Sequence, residues 1–214
     1  ERAGVVAANR RQGQKCIRKR PRAVFVHRRD KETTGLMVVA RHRGAMDALV
    51  KMIAAREVSR QYLALAHKSW GAVRQRRVDA AIGRDPRNRL RMAVVDLAQH
   101  AGKVARTDIE LLEGNAEFSF VRCSLHTGRT HQIRVHMAHI GHPLVGDRDY
   151  GAGFRTKAAK LPEPLGPQVA AFPRQALHAR LLAFRHPTTD ELMTFEADMP
   201  SDMARLIDGF KKLG

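Results

Sequence analysis

Short segments of strand character outnumber the helical segments in this sequence, and most connections between them are short. Each segment is a run of apolar or alternating residues that ends at turn residues. This arrangement favours an α+β fold with a mixed, largely antiparallel sheet that is flanked by helices and loops. The predicted strands are 23–26, 36–40, 62–66, 91–97, 105–112, 117–125, 176–185 and 192–197.

Three segments carry the 3.6-residue period of helices. Residues 44–57 place apolar side chains at every third or fourth position. Residues 130–140 repeat the pattern with Ile133 and Met137, and a third helix is expected to begin at Ser201, which can cap its first turn. Helices therefore alternate with groups of strands along the chain.

Two stretches are expected to form long surface loops. Residues 67–89 hold turn residues and many arginines, and residues 151–175 contain four Pro and three Gly. Residues 1–22 are basic and show no clear period, so they are expected to form an N-terminal arm that is the remnant of a truncated first strand. No internal repeat or linker divides residues 23–214, which are expected to form one domain.

The chain carries 39 Lys and Arg residues against 21 acidic ones, which leaves a formal charge of +18. A folded chain with such a surplus usually binds a polyanion, and nucleic acid is the commonest one. A membrane surface is a weaker alternative, because no long apolar run or basic amphipathic helix is present. Cys16 and Cys123 form no disulfide framework, which fits a reducing cytoplasm.

One carboxylate, Asp30, lies among basic side chains directly before a predicted buried strand. Nearby positive charge favours the ionised form of a carboxyl group, which suits it to act as a nucleophile or an electrostatic partner. A surface ion pair is the commoner role of such a residue. The flanking residues are His27, Arg28, Arg29 and Lys31.

Two further segments carry side chains suited to RNA or catalysis. Arg60-Gln61-Tyr62 places a tyrosine at the start of a predicted strand, where a core aromatic is the usual alternative. Residues 127–136 run from a glycine turn into a helix with Arg and His. Backbone N–H groups and forked guanidinium donors can bind phosphate there, although a solvated helix face is the commoner role.

Five histidines cluster in sequence, but no metal site is predicted. The chain has no His-Glu-x-x-His motif, and Cys123 is the only cysteine close to these histidines. Phosphate-binding Gly-x-x-x-x-Gly-Lys-Ser/Thr loops and Gly-x-Ser-x-Gly elbows are also missing from the sequence. The clustered residues are His126, His131, His136, His139 and His142.

Taken in order, these segments resemble the motifs of the RluA-type pseudouridine synthases. The family pattern His-Arg-Leu-Asp-x-x-Thr-Ser-Gly is similar to residues 27–35, and its Arg/Lys-x-Tyr pattern is similar to residues 60–62. Its third motif is similar to residues 128–136, and the likeness continues through 141–151. The resemblance spans nearly the whole chain and is strongest to the branch that acts on large-subunit ribosomal RNA.

The resemblance implies isomerisation of uridine to pseudouridine within structured RNA. By family likeness, Asp30 is the nucleophile that attacks C1′ of the sugar or C6 of the base. Tyr62 packs against the uracil and helps to remove its C5 proton. Arg134 pairs with Asp30 and keeps it charged and oriented.

The target base must also leave its helix, because an enzyme cannot reach it inside paired RNA. The resemblance implies that Arg28 enters the stack in its place, and that Arg129 and His131 hold nearby backbone or bases. Neither a cofactor nor a metal is expected. The expected partner is ribosomal RNA, with transfer RNA as the second choice, and the expected state is a cytoplasmic monomer.

The sequence departs from the family pattern at three points. Arg29 stands where the family has leucine, Thr34 stands for serine, and the first motif with its Lys-Pro pair is missing. No RNA-binding domain of the S4 type is expected within these residues. Two rival hypotheses therefore stay open, namely a catalytically silent RNA-binding relative and a ribosome-assembly factor.

Overall fold

A computed structural model describes residues 5–8, 24–26, 30–154, 158 and 160–213 of the chain. Within them, the strands are β1 Val5–Ala8, β2 Val24–Phe25, β3 Thr34–Gly35, β4 Met37–Ala40, β5 Ser59–His67, β6 Gln75–Asp79, β7 Ile82–Arg84, β8 Met92–Val94, β9 Gly102–Lys103, β10 Arg106–Gly114, β11 Phe118–Leu125, β12 Leu177–Arg185 and β13 Leu192–Glu196. The α-helices are α1 Arg43–Ala54, α2 Gln132–His139, α3 Leu165–Ala171 and α4 Ser201–Lys211, and Ala152–Phe154 forms a 3-10 turn.

The chain divides into two compact units. The first comprises Glu1–Tyr62 and His178–Met199, and the second comprises Leu63–Leu177 and Pro200–Gly214. Strand β5 therefore starts in the first unit and ends in the second.

The first unit combines antiparallel and parallel strand pairs. Strand β4 lies between β1 and β2 and is antiparallel to both. Strand β12 pairs with β13 in antiparallel register and with β3 in parallel register. Helix α1 contributes to the core beneath these strands, and burial of each large side chain stabilises the unit by about 1.5–3 kcal/mol. The core residues are Val38, Ala40, Ala45, Leu49, Val58, Leu182 and Phe184.

Local hydrogen bonds explain where α1 begins and ends. His42 caps the helix, because its Nδ1 accepts a hydrogen bond from the backbone N–H of Ala45 at 3.2 Å. After Ala54 the chain reverses at Arg56, whose φ of 65° lies in the left-handed region. The N–H of Glu57 then donates to the carbonyl of Met52 at 2.9 Å. The helix predicted over 44–57 therefore ends three residues early.

The second unit contains two groups of antiparallel strands. Strand β10 lies between β6 and β11, and β7 lies between β8 and β9. The loop predicted over 67–89 is wrong, because β6 and β7 lie within it. Only Val78 of β6 is buried, so the strand depends on pairing with β10 and shows almost no local apolar signal.

Two other boundaries differ from the sequence predictions. The loop predicted over 151–175 contains helix α3. Residues 5–8 of the predicted arm form β1, while the rest of 1–22 lies outside the described residues. The remaining predicted strands occur at nearly the expected positions. Antiparallel strands, the parallel pair of β3 and β12, and helices occur together among the described residues, which confirms the predicted α+β class.

Charged side chains from β6, from β10 and from the residue after β11 interact around Asp108. Asp108 accepts hydrogen bonds from Arg77 Nε at 2.7 Å and Nη2 at 3.1 Å, and His126 Nε2 lies 2.7 Å from its Oδ2. The hydrogen bond from Arg77, with help from His126, lowers the pKa of the Asp108 carboxyl to about 2. The carboxylate form is therefore favoured by folding.

Replacing Asp108 with asparagine is expected to lower the melting temperature by a few degrees at most at pH 6, because partly exposed ion pairs contribute little. The pKa of Asp108 is lower in the folded protein than its ordinary 3.8, so its contribution is complete above about pH 4 and is lost as the pH falls towards 2. Thermal melting of both proteins between pH 2 and 6 tests this. A difference in melting temperature that stays constant down to pH 2 would contradict this expected pH dependence.

Candidate active site

Residues 27–35, the motif segment that contains Asp30, belong to the first unit, and the structure describes this segment from Asp30 onward. This residue is half-buried, and its carbonyl accepts a hydrogen bond from the N–H of Thr33 at 3.1 Å, which closes a turn. His27, Arg28 and Arg29 lie outside the described residues. The predicted insertion of Arg28 into RNA therefore stays a prediction, and so does any consequence of Arg29.

The residues after this turn are held tightly against strand β12. Nε2 of His178 lies 3.1 Å from the carbonyl of Ala197 and must carry a hydrogen to bond it. In the neutral ring Nδ1 then accepts from the Thr34 hydroxyl at 2.9 Å. Gly35 has a φ of +91°, and a Cβ there would overlap the carbonyl of Ala179. These contacts fix the chain that follows Asp30.

Tyr62 lies in β5 and is only 8% exposed. Arg60 is on the same face of the strand, since alternate residues of a strand share a face. Burial lowers the pKa of Arg60, and its Nε has no hydrogen-bond partner among the residues that the structure describes. Burying a guanidinium costs free energy, which marks Arg60 as a candidate functional residue to which the sequence assigned no role.

In the second unit, helix α2 is buried over its first six residues. All residues from Gln132 to Met137 are buried, so the solvated helix face considered as the commoner role of this segment is wrong. Arg134 is buried with an acidic partner: its Nε and Nη2 donate to the two carboxylate oxygens of Asp147, each at 2.7 Å. Nη2 also donates to Asp149 at 2.7 Å. Paired acids allow this arginine to be buried.

Asp147 also links Arg134 to the backbone of the residues that follow Asp147. Its Oδ1 accepts hydrogen bonds from the backbone N–H groups of Asp149 and Tyr150, each at 3.0 Å. The side chain of Asp147 is fully buried, and that of Arg134 is 6% exposed. Asp147 lies within residues 141–151 of the family resemblance, but no sequence pattern assigns it a role.

A buried amide organises the turn before α2. Gln132 accepts hydrogen bonds from the Thr127 hydroxyl at 2.7 Å and the Arg129 N–H at 3.0 Å. Its Nε2 donates to the carbonyl of Arg106 at 2.9 Å. The Arg129 side chain is directed by a bond from its Nε to the carbonyl of Val104 at 2.9 Å. Arg129 is thus held at a defined position in the turn.

The clustered histidines have separate partners. His126 contacts Asp108, His131 contacts Tyr150, and buried His136 bonds Thr107 and the carbonyl of Ala80. Burial lowers the pKa of His136, which favours its neutral form. Within the described part of the chain, no three His, Cys, Asp or Glu side chains form a group that could hold a metal ion.

Asp30 and Tyr62 belong to the first unit, whereas Arg129, His131 and Arg134 belong to the second. Hydrogen bonds within the second unit hold Arg129, His131 and Arg134, and those within the first unit fix the chain that follows Asp30. None of the helices in the described residues is both long enough and apolar enough to span a membrane.

Residues 7–139 match the model of the RNA pseudouridylate synthase family. A protein of Xylella fastidiosa, named "Ribosomal large subunit pseudouridine synthase D", is 45% identical over 192 residues, which is 90% of this chain and 56% of that protein. A protein of the same name from Pseudomonas aeruginosa is 47% identical over 190 residues, covering 87% of this chain and 56% of that protein.

Solved structures show the same fold. The structure entitled "Human RNA Pseudouridylate Synthase Domain Containing 1" has a TM-score of 0.70 and 25% identity, and the match covers 97% of this chain and 91% of that one. The chain spans somewhat more than half the length of the Xylella and Pseudomonas relatives. A family match over more than half of the chain, together with these identities, shows that the chain belongs to the RNA pseudouridylate synthase family.

Proposed function

We propose that this chain converts specific uridines of structured RNA to pseudouridine, with 23S ribosomal RNA as the substrate and residues 23–214 as the catalytic domain. The observation that carries the proposal is the family match over 7–139, a range that includes Asp30, Tyr62 and Arg134. The names of relatives that are 45% and 47% identical to this chain over the aligned residues favour ribosomal over transfer RNA.

The reaction needs no net oxidation. The bond from C1′ to N1 breaks, the uracil turns, and a bond from C1′ to C5 forms, while C5 loses a proton and N1 gains one. We assign Asp30 as the nucleophile at C1′ or C6, because an ionised carboxylate suits that role. Tyr62 packs against the uracil, and Arg134 pairs with Asp30.

Access to the base requires that the nucleotide leave its helix, at a cost of a few kcal/mol. Arg28 is assigned to fill the vacated stack, because a planar guanidinium can stack on neighbouring bases. Arg129 and His131 hold RNA nearby, and the net charge of +18 supplies the attraction to phosphate. Segments 67–89 and 151–175 are assigned to selection of the target, and the protein acts as a cytoplasmic monomer.

The test is release of tritium from ribosomal RNA transcripts that carry the label at C5 of uracil. Release should accompany pseudouridine formation, because C5 loses its hydrogen when the new bond forms. Comparing pseudouridine maps of ribosomal RNA from cells with and without the gene then locates the target. Tight, salt-sensitive RNA binding without release from any cellular RNA would overturn the proposal in favour of a silent RNA-binding relative.

A further inference from the structure

The hydroxyl of Tyr150 has two hydrogen-bond neighbours within the second unit. The backbone N–H of Met92 donates to the hydroxyl oxygen at 3.1 Å, and Nδ1 of His131 lies 2.9 Å from the same oxygen. Since an N–H can only donate, the bond from Met92 occupies the phenol oxygen as an acceptor, which favours donation of the hydroxyl hydrogen to Nδ1 of His131. Burial raises the pKa of Tyr150, so the phenol keeps its hydrogen at neutral pH.

A hydroxyl that donates to Nδ1 determines the tautomer of the imidazole. In a neutral ring one nitrogen accepts and the other carries the hydrogen. With Nδ1 as the acceptor, the hydrogen of His131 lies on Nε2. The ring then carries an N–H donor at Nε2, which matches the oxygen acceptors of RNA.

Other contacts hold both rings in place. The backbone N–H of Tyr150 is bound by Asp147, and the guanidinium carbon of Arg134 lies 4.9 Å from the centre of the Tyr150 ring. The rings of Tyr150 and His131 meet edge to face, with centroids 5.7 Å apart. His131 has a left-handed φ of 57°, a conformation that costs free energy and recurs at functional sites.

We propose that Tyr150 is a positioning residue that fixes His131 as an Nε2–H donor to an oxygen of the bound RNA. The inference rests on the proposed function, because RNA is the ligand. It goes beyond that function by assigning a role to Tyr150 and a protonation pattern to His131.

The first measurement needs no RNA. Nitrogen NMR of protein labelled with ¹⁵N-histidine distinguishes a nitrogen that carries hydrogen from one that does not, and His131→Gln identifies the resonances of His131. We expect Nδ1 of His131 to be without hydrogen in the neutral wild-type ring. In Tyr150→Phe this ring is expected to become a mixture of tautomers.

The second measurement is RNA affinity. Tyr150→Phe is expected to weaken binding about five- to tenfold, the usual effect of one hydrogen bond. His131→Gln, whose amide can place a donor near the Nε2 position, should bind RNA better than His131→Asn, which mimics Nδ1. In the His131→Gln background, Tyr150→Phe should have no further effect on affinity.

Ser119→Ala is the matched control for lost stability. Ser119 is buried in the same unit and donates one hydrogen bond to the carbonyl of Lys68 at 2.6 Å. Its removal should lower the melting temperature as Tyr150→Phe does, but it should leave RNA affinity and the His131 resonances unchanged.

A wild-type spectrum with hydrogen on Nδ1 of His131 would overturn the inference, even if Tyr150→Phe failed to fold. An unchanged affinity in a folded Tyr150→Phe protein would also overturn it. Failure of the wild type to bind or convert any RNA would instead overturn the proposed function, and the nitrogen spectra would still decide the tautomer.

Discussion

Replacing Asp30 with asparagine is expected to lower the rate of pseudouridine formation by about four orders of magnitude or more, as loss of a nucleophile does in other enzymes. Asparagine has nearly the same shape as aspartate but is a far weaker nucleophile, so binding and folding should be retained. RNA affinity should be unchanged or slightly stronger, because the substitution removes a negative charge. Tritium release and filter binding on the same ribosomal RNA measure the two quantities.

The controls for this experiment separate the nucleophile from its charge. Asp30→Ala excludes recovery of aspartate by deamidation, and it should be as inactive as Asp30→Asn. Asp47→Asn removes an exposed acid of helix α1 in the same unit, where Asp47 pairs with Arg43, and it should retain full activity. Residual turnover within about tenfold of wild type in both Asp30 variants would refute Asp30 as the nucleophile.

The first unit could be predicted where its signals are local. Strand β4 is buried along its whole length, and helix α1 has a regular apolar period, so both were found close to their true bounds. The end of α1 was missed because the left-handed conformation of Arg56 has no glycine to mark it. Short, local patterns were therefore sufficient to predict these two elements.

The second unit shows where local patterns fail. Strand β6 reads Gln-Arg-Arg-Val-Asp, and only its register with β10 makes it a strand. The burial of helix α2 could not be predicted, because the pattern does not reveal that Asp147, thirteen residues further along the chain, pairs with Arg134. The motifs were sufficient to select Arg134 and His131. They do not reveal Asp147 and Tyr150, which contact these two side chains only in the folded chain.

Replacing Arg134 with methionine is expected to have two effects of different origin. It leaves the carboxylate of Asp147 buried without its charged partner, which typically destabilises a protein by about 3–5 kcal/mol. On the proposed role of Arg134, it also removes the cation that orients Asp30, so turnover should fall by at least about a hundredfold while RNA affinity changes far less. Chemical denaturation, single-turnover rates and RNA binding measure these effects separately.

The double variant Arg134→Met/Asp147→Asn distinguishes the two effects. An asparagine at position 147 is neutral, and its oxygen can still accept the N–H bonds of Asp149 and Tyr150. Most of the lost free energy of unfolding should therefore return, because no unpaired charge stays buried. Turnover should not return, because the guanidinium is still missing.

The matched control is the ion pair between Arg174 and Asp202 in the same unit. Two guanidinium nitrogens of Arg174 donate to this carboxylate at 2.8–3.2 Å, and Arg174 is nearly as buried as Arg134. Arg174→Met should lower stability without changing turnover at a temperature where the protein stays folded. If turnover recovered with stability in the double variant, Arg134 would be a structural residue. If RNA affinity fell as far as turnover, Arg134 would act in binding, because an orienting residue affects the reaction after the RNA is bound.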